Sequence, residues 1–250
     1  MSGAEIWEVG DAYEAYVGRW SRMVAAEFVR DLAREPGLRW LDVGCGTGAL
    51  SAAITGAAAV VGVDRSLGFV RKRRDVVNGD GTALPLRTAA FDVVVSGLAL
   101  NFMPDPAAAV AEMARVAREG GTVAAYVWDY GDGMAMMRHF WDAALEIDPD
   151  AGELDEMRRF AMCAPEPLRD LWTDAGLCEV ETGAIEVPTV FSDFGDYWAP
   201  FLGGQGAAPA YVARMTETMR EQVRERLEER LGGGEIALTA KAWTVRGVRC

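Results

Sequence analysis

An acid followed by three alternate glycines is the part of this chain best suited to bind a ligand. Asp42 ends a short apolar run, and Gly44, Gly46 and Gly48 follow it. Glycine has no Cβ, so it permits a sharp turn and a close approach of the backbone to a ligand. A strand that leaves through such a turn into a helix is typical of nucleotide-type sites at the carboxyl edge of a parallel sheet. A carboxylate at this place favours a ligand with an ammonium group over a diphosphate.

Two more acids follow apolar runs further along the chain. Val60–Asp64 predicts a second buried strand that ends in an acid, and Asp80 lies in a glycine turn before another apolar run. A carboxylate at Asp64 can accept both hydroxyls of a ribose, a device that NAD sites also use. Gly44, Gly46 and Ala49 also satisfy the dinucleotide fingerprint G-x-G-x-x-G/A, so a dinucleotide site stays open at this point.

Three segments together resemble one enzyme family. The run D-x-G-x-G-x-G at 42–48 resembles the first motif of the class I methyltransferases that use S-adenosylmethionine (SAM). Residues 76–86 resemble the family's G-D-x-x-x-L-P segment, and residues 91–102 look like its fourth strand and the loop that leaves it. The resemblance covers about residues 39 to 128. It is closest to the small-molecule group that includes the ubiquinone and menaquinone methyltransferases.

The resemblance implies a role for each loop. The glycine loop would wrap the amino-acid end of SAM, Asp64 would bind the ribose, and Asp80 would accept a hydrogen bond from the adenine amino group. The segment at 16–22 resembles one that closes over the cofactor in this group, and Arg19 is a natural partner for a carboxylate. The cofactor-binding residues that we expect are Tyr16, Arg19, Trp20, Asp42, Gly44, Cys45, Gly46, Gly48, Asp64, Arg65, Ser66, Asp80, Gly81, Thr82, Ser96, Gly97, Leu98 and Phe102.

Transfer of a methyl group from a sulfonium requires alignment, exclusion of water and sometimes a base. His139 is the single histidine of the chain and a candidate base, with a surface or capping role as the alternative. Asp129 is a second candidate, and Asp132 lies beside it in sequence. Side chains that we expect to line an acceptor pocket, with core packing as the alternative, are Trp128, Tyr130, Met134, Met137, Trp198 and Phe201.

The composition restricts the partners and the compartment. The chain has 250 residues and a net charge of −13, and an acidic surface repels the phosphate backbone of nucleic acids. The four cysteines are not closely spaced, which predicts a reduced, cytoplasmic protein without a metal site. No signal peptide and no run of about 20 apolar residues is visible, so we expect no membrane segment.

The elements around these motifs predict an α/β fold. We expect a Rossmann-like, mostly parallel seven-stranded sheet with helices on both faces, an antiparallel edge hairpin and a small helical cap. Residues 1–37 are predicted to form a helical lid that ends near Pro36-Gly37, or else a helix packed on the sheet. Residues 38–250 would form the SAM-binding domain, with helical insertions at about 129–165 and 192–233. Asp105 and Pro106 should begin a helix that ends at Gly120-Gly121.

The sequence therefore predicts a SAM-dependent methyltransferase that acts on a small organic acceptor. The tetrapeptide N-P-P-Y, which marks amino methylation in many DNA and protein enzymes of this fold, is absent, and Asn101-Phe102-Met103-Pro104 stands in its place. A SAM-fold protein that catalyses another reaction, such as the cyclisation of a metabolite, is the first alternative. A dinucleotide-dependent oxidoreductase is the second. The sequence does not determine the acceptor, the acceptor atom or the oligomeric state.

Overall fold

The computed structural model describes residues 18–70, 75–203 and 206–250, with the side chains of residues 69 and 70 excepted. The strands in this part of the chain are β1 Arg39–Val43, β2 Ala59–Asp64, β3 Val76–Asn78, β4 Phe91–Gly97, β5 Ala117–Trp128, β6 Leu177–Phe191 and β7 Ile236–Arg249. The helices are α1 Arg19–Leu32, α2 Ala49–Ala53, α3 Leu67–Val70, α4 Pro106–Val116, α5 Ala135–Ile147, α6 Glu156–Arg159, α7 Pro165–Asp174, α8 Phe194–Trp198, α9 Ala207–Val212 and α10 Glu217–Leu231. Short 3₁₀ turns lie at Leu100–Phe102, Pro149–Glu153 and Ala199–Gly203.

The described strands form one seven-stranded sheet in the order β3-β2-β1-β4-β5-β7-β6. The strands from β3 to β5 pair in parallel, and β7 and β6 form an antiparallel pair at the edge. The central strands are almost continuously apolar because both of their faces are covered; residues 122–128 of β5 are all buried. The predicted fold class is confirmed. Its order places the ends of β1 and β4 side by side.

Among the described residues, the chain divides into two compact units. The sheet unit contains residues 21–127, 162–185 and 242–250. The helix-rich unit contains residues 18–20, 128–161 and 186–241. The domain boundaries predicted above, a lid at 1–37 and insertions at about 129–165 and 192–233, stay a prediction.

Helix α1 lies mostly in the sheet unit, and its apolar side is buried there. Val24 and Phe28 are buried, and the Phe28 ring lies 4.7 Å from the ring of Tyr126 on β5. The helix ends at Leu32 rather than near Pro36-Gly37, because Ala33 adopts a left-handed φ of 47° and its amide turns back to the Arg30 carbonyl. This packing is what the alternative interpretation of the segment, a helix on the sheet, requires.

The helix after β4 begins as predicted but ends early. The Asp105 side chain accepts a hydrogen bond from the Ala108 amide at 2.9 Å and caps α4. The helix stops at Val116, so the prediction that it runs to Gly120-Gly121 is wrong. Both glycines lie within β5, where the register against β4 shifts. Gly120 has a φ of 70°, which suits an irregular point of a strand.

The cysteines also differ from the prediction. Cys178, at the start of β6, and Cys250, after β7, form a disulfide although 72 residues separate them. Their Cα atoms lie 6.0 Å apart because the two strands are neighbours in the sheet, a proximity that sequence spacing cannot show. Cys45 and Cys163 are buried and lie outside this disulfide. The expectation of a fully reduced chain is therefore wrong.

Candidate cofactor site

The glycine loop joins β1 to α2 and is held by backbone bonds to β2. The amide of Gly44 donates to the Val63 carbonyl at 2.8 Å, and the amide of Gly48 donates to the carbonyl of Cys45 at 2.8 Å. Gly44 has a φ of 74°, and a Cβ built on it would lie 2.5 Å from the Cβ of Ala99. A side chain at this position would thus be strained and would collide with the loop that follows β4.

Asp42 fixes the start of the loop. It is 1% exposed, and its Oδ2 accepts a hydrogen bond from the hydroxyl of Ser51 in α2 at 2.6 Å. The buried carboxylate joins the end of β1 to the helix that the glycine loop enters. Its negative charge lies beneath the loop, where it favours a cationic group on a ligand.

Asp64 ends β2 and bonds directly to the glycine loop. Its Oδ2 accepts from the Gly46 amide at 2.9 Å, and its Oδ1 accepts from the Ser66 amide at 2.8 Å. A carboxylate has about four acceptor positions, so lone pairs remain for two ligand hydroxyls. A Cβ built on Gly46 would have no atom within 4 Å, so space is open above this amide.

Asp80 is oriented by its own turn. Its Oδ1 accepts from both the amide and the hydroxyl of Thr82, at 2.9 and 2.8 Å. These bonds, and then the charge of Arg65, hold the pKa of the Asp80 carboxyl below its usual value. Within the described residues, Oδ2 of Asp80 has no hydrogen-bond partner. An ionised oxygen with free lone pairs suits an amino donor.

The end of β4 and the segment after it form a third part of the site, beside the glycine loop and the Asp80 turn. The Ser96 hydroxyl donates to the Val43 carbonyl at 2.8 Å and ties β4 to β1. A Cβ built on Gly97 would lie 2.5 Å from the hydroxyl of Tyr126. Leu98 follows with a φ of 56°, and a Cβ built on Gly81 would lie 2.9 Å from Sδ of Met103. The segment after β4 therefore lies against both the glycine loop and the Asp80 turn.

The structure brings the predicted cofactor residues between Asp42 and Phe102 together in the sheet unit. The bonds from Gly44 to Val63 and from Gly46 to Asp64, and the close approach of Gly81 to Met103, join the four loops. The assignment of these residues to a cofactor stays a prediction. Tyr16 lies outside the described residues, and Arg19 and Trp20 belong to the helix-rich unit.

Arg19 already has a partner within the helix-rich unit. Its guanidinium lies over the rings of Trp20 and Phe191, at 4.7 and 4.8 Å, and its Nη1 contacts Asp196 at 3.3 Å. Nε and Nη2 are buried and have no hydrogen-bond partner among the described residues. A ligand carboxylate would have to compete with Asp196 for this side chain.

The residues predicted to line an acceptor pocket are buried in the helix-rich unit. The Phe201 ring stacks on Phe140 at 4.6 Å and lies 5.8 Å from the ring of Trp198. The buried side chains of this predicted set, none more than 8% exposed, are Trp128, Tyr130, Met134, Met137, Trp198 and Phe201. The described contacts are those of a packed core, so a pocket here stays a prediction.

The two candidate bases differ in what surrounds them. Oδ2 of Asp129 contacts the ammonium of Lys241 at 2.9 Å, and its Oδ1 accepts from the Gly131 amide at 3.1 Å. These contacts hold the Asp129 side chain in a pairing within its own chain. His139 is half-buried, and burial lowers the pKa of its imidazole, opposed by Asp142 and assisted by Arg230. A neutral imidazole is the form that accepts a proton.

Four residues of these surroundings were not predicted from the sequence. Ser51, Met103 and Lys241 contact predicted residues, and Asn101 is buried after β4. The pairing of Asp42 with Ser51 could have been foreseen, because the two residues lie on either side of the glycine loop. Lys241 could not, because β7 lies more than 100 positions away from Asp129 in the chain.

Comparisons with known proteins show which family the chain resembles. Residues 41–125 match a family described as a methyltransferase domain. Over 110 residues the chain is 41% identical to a demethylmenaquinone methyltransferase of Renibacterium salmoninarum, which covers 41% of this chain and 45% of that protein. A demethylmenaquinone methyltransferase of Staphylococcus aureus is 34% identical over 108 residues, 38% of this chain and 45% of the relative. The chain thus matches about half the length of these relatives.

Solved structures share the fold at lower identity. A putative methyltransferase from an antibiotic biosynthesis pathway of Anabaena variabilis has a TM-score of 0.60 and 19% identity, over 89% of this chain and 96% of that one. Phosphoethanolamine N-methyltransferase 2 of Haemonchus contortus, solved with S-adenosylhomocysteine, has a TM-score of 0.56 and 17% identity, over 95% of this chain and 56% of that one. The resemblance to the class I SAM-dependent methyltransferases is confirmed, and residues 41–125 match the methyltransferase domain.

Proposed function

We propose that this chain binds SAM in the sheet unit and transfers its methyl group to a small organic acceptor. The observation that carries the proposal is the set of three carboxylates at the ends of neighbouring strands. Asp42 is bonded to the helix that the glycine loop enters, Asp64 is bonded to that loop, and Asp80 has one oxygen without a hydrogen-bond partner among the described residues. A cofactor with an ammonium group, a ribose and an adenine amino group complements these acceptors, whereas a diphosphate would be repelled by them.

The residues of the sheet unit fit this cofactor. Asp64 would accept the two ribose hydroxyls, since each of its oxygens has a free lone pair beside its backbone bond. Asp80 would accept the adenine amino hydrogen at Oδ2, while Thr82 holds its other oxygen. The bound cofactor supplies an electrophilic methyl group on a sulfonium. The chain itself has to align the acceptor and exclude water.

A carboxylate or imidazole in the helix-rich unit would serve an acceptor that must lose a proton. His139 is the better candidate, because its lowered pKa keeps the imidazole neutral at pH 7, whereas Asp129 is paired with Lys241. An apolar or aromatic acceptor is our proposal, supported by the aromatic and methionine content of this unit. The names of the relatives suggest a quinone-type ring, but their match covers only about half of their own length.

Two further points belong to the proposal. The net charge of −13 supports an acceptor other than nucleic acid. Within the described residues, no helix is both long and apolar enough to cross a bilayer. A cytoplasmic location stays a prediction, and the Cys178–Cys250 disulfide is a contrary observation because such bonds are rare there.

A labelling experiment tests the proposal. The full chain is incubated with methyl-labelled SAM and metabolite extracts, and the products are analysed for label and for S-adenosylhomocysteine. We expect labelled small molecules and an equal amount of S-adenosylhomocysteine, both reduced with Asp64→Ala at SAM concentrations below saturation. Binding of SAM without any release of S-adenosylhomocysteine would overturn methyl transfer in favour of another reaction in this fold, such as a cyclisation.

A further inference from the structure

One edge of the Arg19 guanidinium is buried and has no partner in the described part of the chain. Nε and Nη2 form this edge and make no hydrogen bond to any described residue, while Nη1 contacts Asp196 at 3.3 Å. A buried polar group without a partner is destabilising, and more so when it is charged. Such groups are rare in native folds, and each one requires an explanation.

The contact with Asp196 leaves the other edge of Arg19 available. It joins one nitrogen to one oxygen, and the two side chains are 37% and 34% exposed. An ion pair of this exposure contributes little to stability. The second oxygen of Asp196 accepts a hydrogen bond from the Ser192 amide at 3.1 Å. Asp196 therefore holds one end of the guanidinium and leaves the edge of Nε and Nη2 unused.

Aromatic rings surround the guanidinium. Its Cζ lies 4.7 Å from the centre of the Trp20 ring and 4.8 Å from that of Phe191. These two rings contact each other edge to face at 5.3 Å, and Phe191 also contacts the ring of Tyr197. In such apolar surroundings a hydrogen bond to a charged group is stronger than in water. The unused edge of Arg19 is thus placed where a ligand bond would be worth most.

Thr189 on β6 is a second buried polar group without a described partner. It is 1% exposed, and its hydroxyl makes no hydrogen bond within the part of the chain that the structure describes. Thr189 and Phe191 alternate with exposed residues, so their side chains share the buried face of the strand, about 7 Å apart along it. Because Arg19 contacts Phe191, two independent unsatisfied groups lie on the same face of β6.

The unused groups restrict what the ligand can be. The hydrogens of Nε and Nη2 point the same way in one plane, a geometry that matches the two oxygens of a carboxylate. A carbonyl would satisfy only one of these donors, whereas a carboxylate satisfies both and supplies a negative charge. It competes with Asp196 for the charge of Arg19 but not for the same hydrogens. The hydroxyl of Thr189 is a further donor.

We propose that Arg19 and Thr189 bind the carboxylate of the methyl acceptor, an apolar or aromatic carboxylic acid. Nε and Nη2 of Arg19 each donate to one oxygen, and the Thr189 hydroxyl donates to one of them. The inference rests on the proposed function, since it names the class of acceptor. It assigns Arg19 to the acceptor rather than to SAM, because Arg19, Thr189 and Phe191 all belong to the helix-rich unit.

Binding requires a movement of Arg19. Its Nε and Nη2 are covered in the structure, so the side chain has to turn this edge toward the ligand. The single, partly exposed contact with Asp196 permits such a turn, since little energy is lost when it lengthens.

The test separates acceptors by their charge. A metabolite extract is divided by anion exchange into an acidic and a non-acidic fraction, and each is incubated with the full chain and methyl-labelled SAM. We expect transfer of label to compounds of the acidic fraction. Coupling the carboxylates of this fraction to methylamine beforehand should abolish the transfer, because the resulting amide has lost the charge and one oxygen. Transfer to the non-acidic fraction alone, or transfer that survives the coupling, would overturn the inference while methyl transfer stands.

Variants connect the carboxylate to the two residues. Arg19→Gln should raise the amount of acidic fraction needed for half-maximal labelling by at least about tenfold, since two charge-assisted hydrogen bonds are lost. The rate at saturation should stay within about threefold, because the lost binding is equal in the ground state and the transition state. Arg19→Lys should restore only part of the affinity, since an ammonium lacks the paired donors. Thr189→Val, which keeps the shape, should raise the half-maximal amount by about threefold or more.

Arg22→Gln is the matched control. Arg22 is an exposed arginine three positions further along α1, so its loss changes the net charge equally. We expect the half-maximal amount to stay unchanged in this variant. If Arg19→Gln fails to fold, Thr189→Val decides the question, because its hydroxyl has no described partner to lose.

Calorimetry with S-adenosylhomocysteine distinguishes the inference from the alternative that Arg19 binds the carboxylate of SAM. The Arg19→Gln variant should bind this ligand within about twofold of the unmodified chain. A much weaker affinity for S-adenosylhomocysteine together with an unchanged half-maximal amount of acidic fraction would overturn the inference. If the unmodified chain transfers label to neither fraction, the proposed function itself is wrong.

Discussion

Asp64 and Asp129 are two buried carboxylates at the ends of strands, and their hydrogen-bond and ion-pair partners differ. Asp64 is 9% exposed and accepts two backbone amides, one of them from the glycine loop. Asp129 is 6% exposed and is paired with the ammonium of Lys241. The first keeps acceptor capacity for a ligand, whereas the second is neutralised by its own chain. The same contrast separates the two units.

In the sheet unit, the candidate site consists of loops in which hydrogen bonds orient the carboxylates of Asp64 and Asp80. These carboxylates keep acceptor positions for a ligand. In the helix-rich unit, aromatic rings pack on one another, and Arg19 contacts Asp196. The proposed cofactor recognition thus depends on short local motifs. Acceptor recognition depends on which side chains of a packed unit can open, and this is why the acceptor is harder to infer.

The largest expected effect comes from filling the contact between the glycine loop and the segment after β4. Gly44→Ala should lower the free energy of unfolding by about 2–5 kcal/mol, because the left-handed φ adds strain and the new Cβ collides with Ala99. Denaturant unfolding measures this effect. Gly37→Ala is the control, because Gly37 has a φ of 82° but open space around it. It should lose only about 1–2 kcal/mol, and equal losses would refute the role of the collision.

Removing the Asp64 carboxylate should have the next largest effect. Asp64→Ala should weaken binding of S-adenosylhomocysteine by about tenfold or more in calorimetry, because charge-assisted bonds to the ribose are lost. Asp92→Ala is its control, since Asp92 also accepts a backbone amide, that of Arg39, but lies at the start of β4. If both variants bind the ligand as the unmodified chain does, Asp64 is not the ribose ligand.

Asp80 should contribute less and show a defined dependence on pH. Asp80→Ala is expected to weaken binding of S-adenosylhomocysteine by several-fold, about 1 kcal/mol, because one exposed hydrogen bond is lost. Hydrogen bonds from Thr82 lower the carboxyl pKa, so this contribution is present above the ordinary pKa of 3.8 and is lost only as the pH falls through the lower, folded value. Calorimetric titrations at pH 5 and at pH 7 should therefore give the same difference in affinity for S-adenosylhomocysteine between the variant and the unmodified chain. A difference that disappears by pH 5 would contradict an ionised Asp80.

The smallest expected effect is in the helix-rich unit and needs no acceptor. His139 is the single histidine, so its imidazole gives one isolated proton resonance. Because burial lowers its pKa, that resonance should titrate below pH 6.5. A lowered folded pKa means that the unfolded chain binds the proton more readily, so stability falls as the pH drops below the unfolded pKa. The melting temperature of the unmodified chain should therefore fall between pH 7.5 and pH 5, and His139→Gln should remove the part of this fall that comes from the imidazole. A midpoint at or above 6.5 would weaken the case for a neutral base.

The sequence allowed the sheet, its loops and the cap of α4 to be predicted, because apolar runs, glycines and Asp105 act locally. Contacts between distant positions could not be predicted in this way. The disulfide joins Cys178 to Cys250, and Lys241 approaches Asp129, only because strands remote in sequence become neighbours. The glycine pair at 120–121 misled the prediction of the α4 end, since glycine serves a strand irregularity as well as a helix end.

The buried amide of Asn101, which has no hydrogen-bond partner in the part of the chain that the structure describes, shows another limit of sequence reasoning. Nothing in the pattern Asn101-Phe102-Met103 distinguishes an exposed asparagine from a buried one without partners. Only the structure shows that its segment packs on the glycine loop and on the Asp80 turn, which places Asn101 near the candidate site.

The most direct test of the central claim is the choice of cofactor by the full chain. Calorimetry with S-adenosylhomocysteine and with NAD compares an amino-acid nucleoside with a dinucleotide in the same site. The carboxylates at Asp42, Asp64 and Asp80 predict saturable binding of S-adenosylhomocysteine and far weaker binding of NAD. Tight binding of NAD with no binding of S-adenosylhomocysteine would contradict the account.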